Sequence, residues 1–188
     1  MLSMNDIMPH DGAPRDSVRV NFAPEASALA VAAVSYYVSS STRTLEANWD
    51  TEGFHGLSAN MDSALKNLDQ LSVFVEYGKD LATKLADHHK NPAHAMELTD
   101  QDIEMLGFSL FRFGNDGYVH AHQALDTGWV KPVGGEQAKQ DTHEELAHRQ
   151  QEAKKIFDEL EPLATEKKVM WMDWSSGSAA RLGKVALA

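Results

Sequence analysis

The sequence contains no cysteine. Disulfide bonds, thiolate metal sites and cysteine nucleophiles are therefore excluded for these 188 residues. The fold must depend on packing and hydrogen bonding, and a metal site would have to use histidine or carboxylate ligands.

Long hydrophobic runs are also missing. The longest uncharged stretch, from Ala26 to Thr42, is broken by serines and falls short of the roughly 18 apolar residues that a membrane span requires. The first residues do not combine a basic segment with an apolar one, as a secretory signal does. We therefore expect no membrane span, and a location that is either cytoplasmic or reached by export without a classical signal peptide.

Basic residues are scarce relative to acidic ones. There are 17 lysines and arginines against 28 aspartates and glutamates, which gives a formal net charge of −11. Proteins that bind nucleic acid directly carry clustered lysine and arginine against the phosphates, so we expect no direct binding of nucleic acid. An acidic inhibitor that mimics nucleic acid is one alternative that this charge allows.

The signatures of common hydrolases, phosphate-binding loops and zinc deaminases are absent from the sequence. The stretch HEELAH, at 143–148, differs from the zinc-binding HExxH motif by one residue of spacing. Histidines five residues apart on a helix point about 140° away from each other and cannot hold one zinc ion together. We expect this stretch to be a solvated helical face and the protein to be non-catalytic.

The sequence is rich in helical periodicity. Apolar residues recur at three and four residue steps from Glu25 to Ala47, and a second helix shows a seven-residue repeat of Met61, Leu68, Val75 and Ala82 beside Ala64, Leu71, Gly78 and Leu85. Thr99 is a good N-cap for a third helix that has Asp102 at its third helical position, and a long polar helix follows residue 135.

These patterns predict a mainly α fold, a bundle of three to four long helices. The repeat of the second helix is typical of a bundle or coiled-coil seam. We assign residues 1–24 to a flexible lead-in with a disordered N-terminus, 25–174 to a single helical-bundle domain and 175–188 to a flexible tail. The stretch 108–122 fits two structures. It is either a helix interrupted or kinked near Gly114 or a small β-hairpin around the GNDG turn.

Histidines are the candidate metal ligands. His120 and His122 would face the same side of a strand, and a third ligand could come from the group that includes His89. On a helix the first two would point in different directions. A transition metal or haem bound by His120, His122 and His89 is therefore the alternative function.

Tryptophan and methionine near the end of the domain are the candidate interaction residues. Both residue types are enriched at the centres of protein interfaces. The set comprises Trp171, Met172, Trp174 and, in the first interhelical turn, Trp49. The C-terminal cluster either binds a partner or packs back on the bundle. The main hypothesis is that the protein acts by contact with another protein or with a second copy of itself, as an exported or secretion-associated component, an adaptor or an immunity-type inhibitor.

Overall fold

The computed structural model describes the backbone of residues 17–49 and 58–181, and the burial of side chains at 17–43 and 71–179. The predicted lead-in up to residue 16 and the tail from 182 onward lie outside the described residues. The described chain is mainly helical, as the sequence predicts. Its elements are β1 (Ser17–Val20), α1 (Pro24–Trp49), α2 (Ser58–Lys90), β2 (Met96–Thr99), α3 (Asp100–Arg112), a π-helical turn (Phe113–Gly117), α4 (Tyr118–Asp126), α5 (Gly135–Lys167), β3 (Met170–Met172) and β4 (Ala179–Arg181).

The helices surround one hydrophobic core. The helix α1 packs along α2, and α3 lies between α1 and α5. Small side chains on α1, among them Ala30 and Ala33, are fully buried and let the neighbouring helices come close. The buried residues of α5 are confined to its second half, where they are Ala153, Ile156, Phe157, Leu160, Leu163 and Ala164. Pro162 lies inside α5 without ending it. Among the described helices, none has a stretch both long and apolar enough to cross a bilayer.

The strand β1 lies within the segment that the sequence analysis assigned to the lead-in. It pairs antiparallel with β2, with Val20 opposite Met96 and Ser17 opposite Thr99. Val20 and Phe22 are buried in the core. The N–H of Phe22 donates to His88 Nε2 at 3.2 Å, and His88 Nδ1 lies 2.9 Å from the carbonyl oxygen of His94. His88 is thus a buried structural residue that joins β1 to the end of α2.

The start of α3 is as predicted. The Thr99 hydroxyl accepts from the N–H of Asp102 at 3.2 Å, and the Asp102 carboxylate accepts from the N–H of Thr99 at 2.8 Å. This reciprocal capping box satisfies two backbone donors that a helix start leaves free. The helix therefore begins where the local sequence indicates.

The chain from Asp100 to Asp126 forms one helix interrupted by the π-helical turn, so the prediction of an interrupted helix near Gly114 is confirmed and the β-hairpin alternative around 108–122 is wrong. Tertiary packing explains the outcome. The ring of Trp174 lies so close to Gly114 that a Cβ on this residue would overlap it. The side-chain amide of Gln150 donates to the Gly114 carbonyl at 2.8 Å, which satisfies an acceptor within the turn. The glycines therefore let neighbours lie against a helix rather than close a hairpin.

The C-terminal strands β3 and β4 pair antiparallel, with Trp171 opposite Ala180. The turn between them is closed by Asp173, whose carboxylate accepts from the N–H groups of Ser175 and Ser176 at 2.9 and 2.7 Å. These hydrogen bonds hold the pKa of Asp173 below its ordinary value. The described strand β4 begins beyond the predicted end of the domain.

Candidate functional site

An apolar groove opens on the surface beside strand β3. We call it the Trp171 groove, and its volume is about 260 Å³. Two elements of the core, α3 and β3, supply most of its walls. Its lining residues are Tyr37, Phe74, Glu104, Met105, Phe108, Met170, Trp171, Met172 and Ala179.

Trp171 forms the inner wall of the groove and is only 3% exposed. Its ring stacks on Phe157, with centroids 4.6 Å apart and planes at 28°. The six-membered ring of the indole also lies against Gly107 of α3, where a Cβ would overlap it. The segment that carries Trp171 therefore packs back on the bundle, which is one of the two alternatives that the sequence left open.

The mouth of the groove is lined by side chains that remain accessible. Phe74 is 49% exposed and Met170 is 39% exposed. Phe74 lies on α2 and faces the groove. Glu104 is the one ionisable acid among the lining residues, and it accepts from the N–H of Met170 at 2.8 Å. The groove thus combines apolar walls with one carboxylate among its lining residues.

The other predicted interaction residues have different positions. Met172 and Trp174 are half-buried, and Trp174 makes edge contacts with Phe111 and Phe157. Met172 lines the groove, whereas Trp174 packs beside it. Trp49 ends α1, and its side chain lies outside the part of the chain whose burial is described.

The predicted metal ligands face three different neighbours. His120 Nδ1 lies 3.3 Å from the Tyr36 hydroxyl, and His89 Nδ1 lies 2.8 Å from the Ser27 hydroxyl. His122 instead contacts His143 on α5. Among the described residues, no group of three or more histidine or carboxylate side chains is placed to hold one metal ion. The structure therefore does not bring His120, His122 and His89 together.

The contact between His122 and His143 was missed by the sequence analysis, which treated His143 as part of a solvated face. The two Nδ1 atoms are 2.5 Å apart. Tyr118 packs against His122 with ring centroids 4.2 Å apart, and the Nε2 atom of His122 is buried with no hydrogen-bond partner among the described residues. Burial, and secondarily His143, lower the pKa of His122, while Asp126 acts in the opposite direction. No local pattern signals this pair, because its members come from different helices.

A second pocket lies beside the π-helical turn and has a volume of about 390 Å³. Tyr36, His120 and Arg149 contribute its polar edge. Arg149 is already paired with Glu145 on the same helix. Burial raises the pKa of Tyr36 above its ordinary value, and the nearby Asp116 adds to the effect. The polar edge of this pocket is therefore already engaged in contacts within the chain, Tyr36 with His120 and Arg149 with Glu145.

Comparisons with known proteins identify no relative: no family model, no curated protein and no solved structure matches this chain.

Proposed function

We propose that this chain is a non-catalytic binding protein whose Trp171 groove takes an apolar side chain from a partner protein. The observation that carries the proposal is the groove itself: an apolar recess against the core whose mouth exposes Phe74 and Met170. Exposed apolar side chains grouped around a recess are uncommon on protein surfaces and often mark a binding site. Covering them with a partner removes that apolar area from water.

The lining residues have the composition of an interface centre. Aromatic residues and methionine are enriched there, and charged residues are depleted. Methionine is also flexible enough to adapt to the shape of an incoming side chain. The stacked and buried Trp171 gives the groove a rigid floor, which lowers the entropy that binding would lose.

The charge of the chain favours a basic partner segment. Glu104 lines the groove, and the whole chain carries a formal net charge of −11. Complementary charge speeds association and selects among partners. We therefore expect the occupant to be a leucine, methionine or aromatic anchor flanked by lysine or arginine. Such a partner suits an adaptor, an immunity-type inhibitor or a secretion-associated component.

Selection of random displayed peptides on the immobilised full chain tests this proposal. We expect the selected peptides to share one apolar anchor with basic neighbours. Because the anchor enters the groove, Phe74→Glu and Met170→Glu should each raise the Kd of those peptides at least tenfold, measured by fluorescence anisotropy.

The matched control is Val133→Glu, which adds the same charge at a fully exposed valine that does not line the groove. It should leave the peptide Kd within twofold of the unmodified chain. The proposal is wrong if no peptide is enriched, or if the enriched peptides bind the groove variants as tightly as the control. Analytical ultracentrifugation of the same variants tests whether the occupant of the groove is a second copy of the chain. If the unmodified chain is a dimer and Met170→Glu makes it a monomer, the occupant is a second copy and not a basic partner.

A further inference from the structure

The imidazoles of His122 and His143 stack across the contact between α4 and α5. Their planes are within 19° of parallel and their centroids are 4.5 Å apart. The closest atoms of the two rings are both Nδ1, 2.5 Å apart and within hydrogen-bond distance of each other. A ring nitrogen that bonds in this way can also bind a metal ion once its proton is lost.

Asp126 holds the other side of His143. Its Oδ1 atom lies 3.3 Å from His143 Nε2, and Lys139 Nζ lies 3.7 Å from the same oxygen. A carboxylate at this position favours a proton on Nε2, which leaves the Nδ1 lone pair of His143 free. A carboxylate behind a histidine is the usual arrangement that orients a metal-binding imidazole.

From this geometry we propose that His122 and His143 bind a divalent transition-metal ion through their Nδ1 atoms, with Asp126 as a positioning residue behind His143. Imidazole nitrogens suit Cu²⁺, Ni²⁺ and Zn²⁺, whereas Mg²⁺ and Ca²⁺ prefer oxygen. Water fills the remaining positions, so the site is weaker than a structural zinc site with four protein ligands. It uses His122 from the predicted set and replaces His120 and His89 by His143.

A metal ion would require a small opening of the pair. Metal–nitrogen bonds of about 2.0–2.1 Å at a tetrahedral angle place the two nitrogens roughly 3.3 Å apart. The side chain of His143 retains some exposure and that of Asp126 is largely exposed, so both can move. The ion would then join α4 to α5 across the connector at 127–134. Since it binds only the folded chain, it should stabilise the fold in proportion to its concentration.

Calorimetric titration of the metal-free full chain, purified without a histidine tag, tests the site. We expect one Cu²⁺ or Zn²⁺ ion per chain, with Cu²⁺ bound more tightly, and no binding of Mg²⁺. His122→Gln and His143→Gln keep a polar side chain of similar size, and each should weaken binding at least tenfold. Asp126→Asn should weaken it less than either histidine substitution. The electron paramagnetic resonance spectrum of the Cu²⁺ complex should show coupling to two nitrogens, reduced to one in each glutamine variant.

The control is His148→Gln, an exposed histidine farther along the same helix. It should change neither the stoichiometry nor the affinity. Circular dichroism of the metal-free variants establishes that each remains folded before titration. The site is refuted if the unmodified chain shows no saturable binding of either ion, or if His122→Gln and His143→Gln bind as tightly as His148→Gln. None of these residues lines the Trp171 groove, so the result is independent of the proposed function.

Discussion

Asp102 ties three elements together through one buried carboxylate, which is only 2% exposed. It accepts hydrogen bonds from Lys84 at 2.6 Å, from the Tyr77 hydroxyl at 3.0 Å and from the N–H of Thr99 at 2.8 Å. A buried charge is stable only when partners of this kind surround it. The residue that caps α3 therefore also fixes α3 against α2.

We predict that Asp102→Ala lowers the free energy of unfolding by about 3 kcal/mol, because it removes the helix cap and leaves Lys84 without its carboxylate. Urea denaturation followed by far-UV circular dichroism measures the loss. The control is Glu76→Ala, which breaks the exposed ion pair with Lys79 and should cost less than about 0.5 kcal/mol. Equal losses in the two variants would contradict the structural role of Asp102.

Gly107 is the residue on which the position of Trp171 depends. A Cβ at this position would overlap the indole ring. Alanine is favoured over glycine by about 1 kcal/mol inside an exposed helix, but overlap in a packed core costs about 1–3 kcal/mol. Gly107→Ala should therefore lower the urea midpoint.

Trp171→Leu tests the same contact from the other side, because leucine is smaller than the indole and leaves room for a Cβ at Gly107. If the overlap is the cause, the double variant should lose less stability than the sum of the two single variants. A Gly107→Ala protein more stable than the unmodified chain would show that the indole does not rest on this glycine.

At the scale of elements, the sequence predicts what depends on local pattern. The seven-residue repeat of α2 and the Thr99 cap identify helices because each signal lies within one continuous segment of the chain. The glycines of GNDG also mark where the third helix is interrupted. Choosing between a kinked helix and a hairpin requires the packing of Trp174 and Gln150, which lie far along the chain.

The elements and sites that the sequence missed depend on distant contacts. The strand β1 has only four residues. It forms a strand because it pairs with β2, which follows α1 and α2 along the chain. The sequence does not link His122 to His143, and they meet because α4 and α5 pack together. The sequence indicated only some of the residue types of the Trp171 groove, since its walls come from five elements of the chain.

The π-helical turn gives a prediction at the scale of one element. Gln150→Leu removes the donor to the Gly114 carbonyl and should cost about 1 kcal/mol of unfolding free energy, as the loss of one partly buried hydrogen bond does. The neighbouring Gln151→Leu is the control, because Gln151 is exposed. The free energies of unfolding of the two variants, measured by urea denaturation, should differ by that amount. Identical midpoints would mean that the side chain of Gln150 does not support the turn.

At the scale of the whole molecule, the described core is continuous from the first strand to the third. Val20 and Phe22 near the start of the described chain belong to the same buried cluster as Phe157 and Trp171 near its end. A single cluster that includes both ends should unfold as one cooperative unit. The N-terminal strand is then as necessary for the tertiary structure around Trp171 as the helices are.

Phe22→Ala tests this cooperativity. The loss of a fully buried aromatic ring should lower the free energy of unfolding by about 3–5 kcal/mol. Near-UV circular dichroism reports the packing of the tryptophans, and far-UV circular dichroism reports the helices. Both transitions should coincide and move to lower urea by the same amount, whereas Val133→Ala, at an exposed position, should move neither. A tryptophan transition that stays in place while the helical signal shifts would mean that β1 stabilises only its local neighbours, and that the two ends of the described chain fold as separate units.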